Sequence, residues 1–326
     1  MKHTSIFNPQ INTDDLNKQL LQNLKAGVID TKFQYIGEKL AQSWLDACQS
    51  KEYPHYRNSC ALIKDIAPKL ADIIKGDINL VCLGTGDGKK EVTLAKEFSK
   101  TRKTGFFPVD SSWELIHEAL KNSASLDIPK EAFWADIIQT NTIKNIGEHV
   151  KRAYFPTNLY TLLGGTICSF PQSLIAKILR DSLKKGDYLL VGFFGRRSSD
   201  FLLELKDTAD IVDAYKGPSA KKNYSSILEL FGLSEKNGEY RIDYGIDSRI
   251  SFINVIEKKF VFNKDKKIKF MGEEIFFAEN ENILLGTSCV YSIYSAIRLL
   301  ESHGLKIVES FENEKGNYMK LLCQLA

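Results

Sequence analysis

Long apolar runs are missing from this 326-residue chain, and no stretch approaches the ~20 residues needed to span a bilayer. The start, Met1-Lys2-His3-Thr4-Ser5, lacks the apolar segment of a signal peptide. The expectation is a cytoplasmic protein with no membrane partner. Cysteine is sparse: the six residues Cys48, Cys60, Cys82, Cys168, Cys289 and Cys323 show no metal-ligand spacing. Several sit in apolar runs, where cysteine behaves as a small core hydrophobe. The five histidines are equally dispersed. No metal centre and no Cys/His catalytic pair is expected. Charge of one sign is also in short supply, since 44 basic and 41 acidic residues leave a net charge of +3. That balance gives no general case for a nucleic-acid partner. The basic run Lys264 to Lys269, with Asp265 inside it, reads as a solvated hairpin.

What the chain does have is a hydrophobic fraction of 43%, ample for a packed core, and an ordered series of strand-like segments. Leu80-Val81-Cys82-Leu83 runs into Gly84-Thr85-Gly86-Asp87-Gly88, followed by a helix-like stretch. Glycine lets a backbone approach a ligand closely and tolerates positive φ. A parallel sheet delivers a nucleotide to the C-terminal edge of its first strand in this way. Phe106 to Asp110 reads as a second strand ending in a carboxylate, suited to two ribose hydroxyls. Phe133-Trp134-Ala135-Asp136 repeats the pattern. Gly-x-Gly alone is common in loops; the three segments in order fit adenosine binding by an open α/β sheet. A dinucleotide fingerprint would place glycine at position 89, where Lys89 stands, and the Gly-Lys-Ser/Thr of a phosphate loop is also missing. S-adenosylmethionine is therefore the favoured adenosine ligand.

Helical spacing marks residues 11–50, through Leu16, Leu20, Leu21 and Leu24 and then Ile36, Leu40 and Trp44. A helix is expected from Cys60 to Ile74, and strands near 79–83, 105–109 and 132–134 with helices between them imply a parallel sheet. Tyr160 to Pro171 reads as a strand opening into a loop, Ile175 to Leu183 as a helix and Tyr188 to Phe194 as a strand. A polar helical segment (200–232) then precedes strands near 239–244, 249–262 and 267–270 that alternate in the antiparallel manner. Ser288 to His303 reads as helical, and Lys306 to Phe311 and Tyr318 to Gln324 as closing strands. The simplest division is a nucleotide-binding domain of 60–200 plus 288–326 and a second domain of 1–59 plus 201–287. A cleft between them is a common place for a ligand.

With these residues in view, the chain resembles the histidine Nα-methyltransferases of ergothioneine biosynthesis. The likeness runs in patches from about Gln19 to the C-terminus. Lys32-Phe33-Gln34-Tyr35 with Gly37 resembles the family's early aromatic motif, and Glu52-Tyr53 with Arg57 its Glu-Tyr-Tyr-x-x-Arg segment. Gly84-x-Gly86 with Lys90 is similar to its cofactor loop and Pro108-Val109-Asp110-x-Ser112 to its ribose-binding segment. Leu163 to Ile167 is similar to its Gly-x-Thr-Ile-Gly-Asn loop, and Asp213-Ala214-Tyr215 to the Ala-Tyr pair of its inserted domain.

The resemblance implies an α/β fold: a Rossmann-like methyltransferase sheet domain with a second α+β substrate-binding domain. It implies an S-adenosylmethionine-dependent N-methyltransferase acting on a small-molecule amine or amino acid, as a monomer or weak homodimer. Gly84, Gly86, Lys90, Asp110, Asp136 and Ile137 would hold the cofactor. Asp110 would accept from the ribose hydroxyls and Asp136 from the adenine amino group, while Lys90 would reach the methionine carboxylate or stabilise the loop. Tyr35, Tyr53, Ser169, Tyr215, Phe252, Gly286 and Ser288 would line the acceptor pocket, with Tyr53, Ser169 and Tyr215 aiming the amine. By themselves, Tyr35 and Tyr53 read as half-buried core tyrosines and Lys90 as a solvated helix residue; the aligned context assigns them. The other readings are a methyltransferase of another specialised metabolite and a non-catalytic S-adenosylmethionine-binding protein. The Asn-Pro-Pro-aromatic and Asp-Pro-Pro-aromatic motifs of nucleic-acid methyltransferases are missing.

The acceptor half departs from the family. The family's asparagine is Ser169, its pocket methionine falls at Phe252, and the glutamate two residues before the pocket serine falls at Gly286 if that serine is Ser288. A glutamate can accept an imidazole N–H and glycine cannot. Leaving that donor unpaired costs about 1–3 kcal/mol, roughly one to two decades of affinity. Histidine is not the favoured acceptor on this pattern, and an uncharged, aromatic or larger one is expected.

Overall fold

Each strand of the expected parallel sheet forms where an apolar run lies between glycine or polar breaks. The computed structural model describes residues 5–7, 11–51, 53–198, 203–246 and 253–326. The chain opens with β1 (Ser5–Phe7), α1 (Thr13–Lys25), α2 (Glu38–Gln49) and α3 (His55–Ile73). The alternating part follows: β2 (Ile78–Leu83), α4 (Lys89–Phe98), β3 (Thr104–Asp110), α5 (Trp113–Asn122), β4 (Glu131–Trp134), α6 (Thr142–Ala153), β5 (Thr157–Leu162), α7 (Gln172–Ser182) and β6 (Tyr188–Arg196). Next come α8 (Leu205–Lys216), α9 (Pro218–Ser225), β7 (Gly238–Ile246), β8 (Asn254–Phe262), β9 (Lys266–Phe270), β10 (Glu273–Phe277) and β11 (Asn282–Ser292). The described chain closes with α10 (Ile293–Ser302), β12 (Leu305–Glu312) and β13 (Tyr318–Leu325).

The main sheet has the order β1-β4-β3-β2-β5-β6, all parallel, continued by β13 antiparallel to β6 and by β12 antiparallel to β13. Every residue of β2 and β3 is buried, as continuous apolar strands covered on both faces should be. The chain leaves β2 toward β3 on one side and returns to β5 on the other. That reversal leaves a crevice at the C-terminal ends of β2 and β5, where an open α/β sheet binds ligands.

At its far end β6 turns into a second sheet. Gly195 and Arg196 pair with Tyr291 and Ser292 of β11, which runs antiparallel to β8, itself antiparallel to β7. A Cβ at Gly195 would stand 2.0 Å from the Tyr291 carbonyl oxygen, so only glycine lets the sheets join there. The N-terminal segment docks on the second sheet: Ile29 N–H donates to the Leu284 carbonyl (2.8 Å) and Gln34 Nε2 to that of Leu285 (2.8 Å). Ser43 of α2 meets Ser226, and Ser50 meets Ser219 of α9.

Two departures from the sequence reading follow from packing. Ser288 to Ser292 is strand, not helix: the segment pairs in register with β8, and the helix starts at Ile293, where Ser292 Oγ caps it by accepting from Ser295 N–H (3.0 Å). A buried strand, apolar on both faces, carries no period that separates it from a buried helix. The other is β10, which pairs with β9 to complete the hairpin expected at the basic run. Residues 249–252 of the strand expected over 249–262 lie outside the described residues, and position 60 falls within α3.

Candidate active site

Three glycines in left-handed conformations, Gly84 (φ 56°), Gly86 (φ 57°) and Gly88 (φ 70°), wrap the chain from β2 into α4. A Cβ on Gly86 would stand 2.6 Å from the ring of Trp44, so the loop lies flat against α2. The carboxylate of Asp110, at the end of β3, accepts from Gly86 N–H (3.0 Å) and Ser112 N–H (2.9 Å). This ties the glycine loop to the neighbouring strand. Burial raises the Asp110 pKa while these backbone donors oppose the rise. Asp136, beyond β4, accepts from Ile138 N–H (3.2 Å) and from the Lys32 ammonium (2.7 Å), which also donates to Gln19 (2.6 Å).

Lys90 is 4% exposed, not a solvated helix residue. Its Nζ lies 4.9 Å from the centre of the Tyr56 ring and 3.4 Å from where a Cβ on Gly164 would stand, so it bridges α4 to the loop after β5. Burial works to lower its pKa, but the carboxylates of Glu91 and Asp87 prevail and hold it above the ordinary lysine range. The Asp87 carboxylate is itself anchored by the Tyr56 hydroxyl (2.6 Å).

Past the glycine loop the walls become aromatic. His55, at the start of α3, lies 4.8 Å from Phe194, 5.1 Å from Tyr53 and 5.5 Å from Tyr215, ring centre to ring centre. Burial pushes the His55 imidazole down to about 4, so it is neutral near pH 7. Its Nε2 has no hydrogen-bond partner among the described residues. Burial also raises the phenols of Tyr35, Tyr53 and Tyr215, which therefore stay protonated as donors. Tyr215 donates to Ser288 Oγ (3.1 Å), and the fully buried Lys258 ammonium donates to the same oxygen (2.6 Å). Burial pulls Lys258 down to about 7.

These residues surround a cavity of about 260 Å³. It gathers Gly84, Gly86, Lys90, Asp110, Asp136 and Ile137 with Tyr35, Tyr53, Ser169, Tyr215 and Ser288. Gly286 is the exception. It lines an adjoining cavity of about 580 Å³, which shares Asp30, Thr31, Ser169, Phe170 and Pro171 with the first. A side chain at Gly286 would start 3.6 Å from Lys258 Cε and 3.5 Å from the Tyr224 ring, inside the wall. Phe252 and the motif residue Glu52 lie outside the described residues. Sequence reasoning missed Trp44, His55, Tyr224 and Lys258. Only Lys258 left a clear signal: it keeps the inward phase of Ile256 and Phe260 on β8, where a lysine is out of place.

An open parallel sheet with a glycine loop at its switch point and carboxylates after the next two strands defines a Rossmann-like nucleotide-binding protein. The chain matches the profile of the histidine-specific, S-adenosylmethionine-dependent methyltransferases over residues 14–325 and belongs to that family. It is a methyltransferase that uses S-adenosylmethionine. None of the curated proteins matches it significantly. Similar solved structures include the CcbJ methyltransferase of Streptomyces caelestis, with 11% identity, coverage of 81% of this chain and 95% of that one, and a TM-score of 0.40. Human N-acetylserotonin methyltransferase in complex with S-adenosylmethionine shows 12% identity, coverage of 95% and 66%, and a TM-score of 0.41. Among the described residues no helix is long and apolar enough to cross a membrane, and no cluster of His, Cys, Asp and Glu could hold a metal ion.

The residues present fit the cofactor. A buried Thr85 hydroxyl on the cavity wall has no partner among the described residues, and the tight turn at Gly84 and Gly86 leaves bare backbone facing the space. Each Asp110 oxygen accepts one described backbone bond and keeps room for another.

Proposed function

We propose that this protein N-methylates the amine of an amino acid or related small molecule, and that histidine is not its preferred acceptor. The observation that carries this reading is the continuity of one cavity from the glycine loop to a wall of phenols, hydroxyls and a neutral imidazole. S-adenosylmethionine, when bound, supplies an electrophilic methyl group on a sulfonium. Asp110 accepts from the ribose hydroxyls, Asp136 and the backbone at Ile137 receive the adenine, and Lys90 neutralises the methionine carboxylate. On the acceptor side, Tyr53, Ser169 and Tyr215 orient the amine and donate to the acceptor's carboxylate, with Tyr35 and Ser288 completing the wall. The unpartnered Nε2 of neutral His55 can accept an N–H of that amine.

Residues 1–59 and 201–287 supply most of the acceptor side, in keeping with the proposed two-domain division. Positioning rather than a strong base then carries the rate, since near-attack geometry is worth ~7–11 kcal/mol. The wall shared with the second cavity gives a larger acceptor room to extend past Thr31 and Phe170.

Calorimetric titration with S-adenosylhomocysteine, alone and with a pool of amino acids, tests the reading, together with product mass after turnover. Tightening by one amino acid, and its N-methylated product, are expected. Cofactor binding indifferent to every amino acid, with no methylated amine, would overturn the acceptor class.

A further inference from the structure

Lys258 is fully buried on β8, and no carboxylate among the described residues pairs with it. Its ammonium lies 2.6 Å from Ser288 Oγ, 4.7 Å from the Tyr215 ring centre and 4.9 Å from that of Tyr224. All three of these neighbours line the cavity. A buried charge without a partner is strongly disfavoured, and structures that retain one either neutralise it or supply a counter-charge. The carboxylates on the cavity wall belong elsewhere: Asp110 is tied to the glycine loop, Asp136 to Lys32, and Asp30 is exposed. An anion accepting from Ser288 Oγ would lie about two hydrogen-bond lengths from Lys258 Nζ.

We propose that Lys258, acting through Ser288 and between the Tyr215 and Tyr224 rings, recognises an anionic side-chain group on the acceptor, so that the substrate is an acidic amino acid or an amine of like charge. The inference rests on reading this half of the cavity as the acceptor site. One carboxylate of an amino acid is already served by the neutral donors Tyr53 and Ser169. Lys258 is surplus to that need and answers a second. The uncharged acceptor expected from positions 252 and 286 took no account of this lysine. Protonation follows from the same geometry. The groups facing Lys258 are Tyr215 on α8, Tyr224 on α9, Cys168 after β5, Cys289 on β11, Glu257 beside it and His55 on α3. Burial raises the Tyr215, Tyr224 and Cys168 groups and lowers His55, so none of these four is charged at pH 8. An arriving anion raises the Lys258 pKa, and the largely neutral amine takes up a proton to become an ammonium.

The test titrates the protein saturated with S-adenosylhomocysteine using L-aspartate against L-asparagine and L-glutamate against L-glutamine, pairs that differ at the side-chain group. The acid of one pair should bind at least about tenfold tighter than its amide. In buffers of different ionisation enthalpy at pH 8, its binding should take up protons. Lys258→Met should erase both effects while leaving S-adenosylhomocysteine affinity unchanged, which also certifies its fold; Lys258→Arg should restore part of the preference. Amides binding as well as acids, an acid preference that survives Lys258→Met, or no binding by any of the four would each overturn the proposal. If a neutral amino acid binds and is methylated instead, the N-methyltransferase reading stands and this inference fails. If no amino acid binds, that reading fails with it.

Discussion

The two halves of the cavity are built by different rules. The half proposed for the cofactor is made largely by backbone: three positive-φ glycines, the ends of three neighbouring strands, and carboxylates at or within two residues of a strand end that accept from backbone N–H groups. The half proposed for the acceptor is lined by side chains from segments distant in sequence: His55 on α3, Ser169 after β5, Tyr215 and Tyr224 on α8 and α9, and Ser288 on β11, with Lys258 of β8 behind Ser288. The first kind of site tolerates little change because its geometry is the chain path itself. The second can exchange one side chain for another while the walls stay in place, so acceptor identity can vary over a constant cofactor site.

Substitutions that strike one half should leave the other alone. The largest effect is expected from Asp110→Ala, which removes the carboxylate joining the glycine loop to β3. S-adenosylhomocysteine affinity should fall by about 100-fold, from hydrogen bonds to a charged group worth about 1.5–3 kcal/mol each. Calorimetry would check this, and an affinity within about twofold of the parent would remove Asp110 from the cofactor site.

Lys258→Met separates the halves by stability. The folded pKa of Lys258 is about 7 against an ordinary 10.5, so below pH 7 both states are protonated and the folded state bears the full cost of the buried charge. Between pH 7 and 10.5 the unfolded state holds more protons. Stability therefore rises with pH in that window, by up to about 1.4 kcal/mol per unit. Lys320, likewise pulled down to about 7 by burial, adds a second slope of the same sign. The variant should unfold at higher denaturant than the parent at pH 6, by about 2 kcal/mol, and lose one of the two slopes. Equal denaturation midpoints at pH 6 would show that the ammonium carries no burial cost.

Tyr215→Phe deletes the donor to Ser288 and keeps the ring. Turnover should drop about tenfold, with cofactor affinity unchanged; steady-state rates beside a titration would read both. The smallest effect is expected far from either half. Lys267 and Glu274 pair across the β9–β10 hairpin at 2.8 Å in open solvent, so Lys267→Ala should leave the melting temperature and both ligand affinities where they were.

The β2 to β6 alternation, the glycine loop and the two acidic strand ends were legible because each is a local pattern: an apolar run, a conformational demand for glycine, a polar group at a fixed offset. The strand at Ser288 was misread as helix because its burial comes from pairing with β8, which no window of sequence contains. His55 drew no role from the sequence, lying inside the Glu52-Tyr53 to Arg57 segment, yet it stands among Phe194, Tyr53 and Tyr215 once α3 meets α8 and the end of β6. Gly286 was placed in the pocket by alignment, and its backbone turned out to lie on the second cavity, with Lys258 across the ladder from it.

By itself, then, the amino-acid sequence determined the parallel sheet, its switch point and the glycine loop and acidic residues at its strand ends, because strand period and glycine conformation are short-range properties. The tertiary structure alone decided which polar side chains share the cavity wall and which of them keep a charge, because desolvation and pairing depend on neighbours brought together from across the chain.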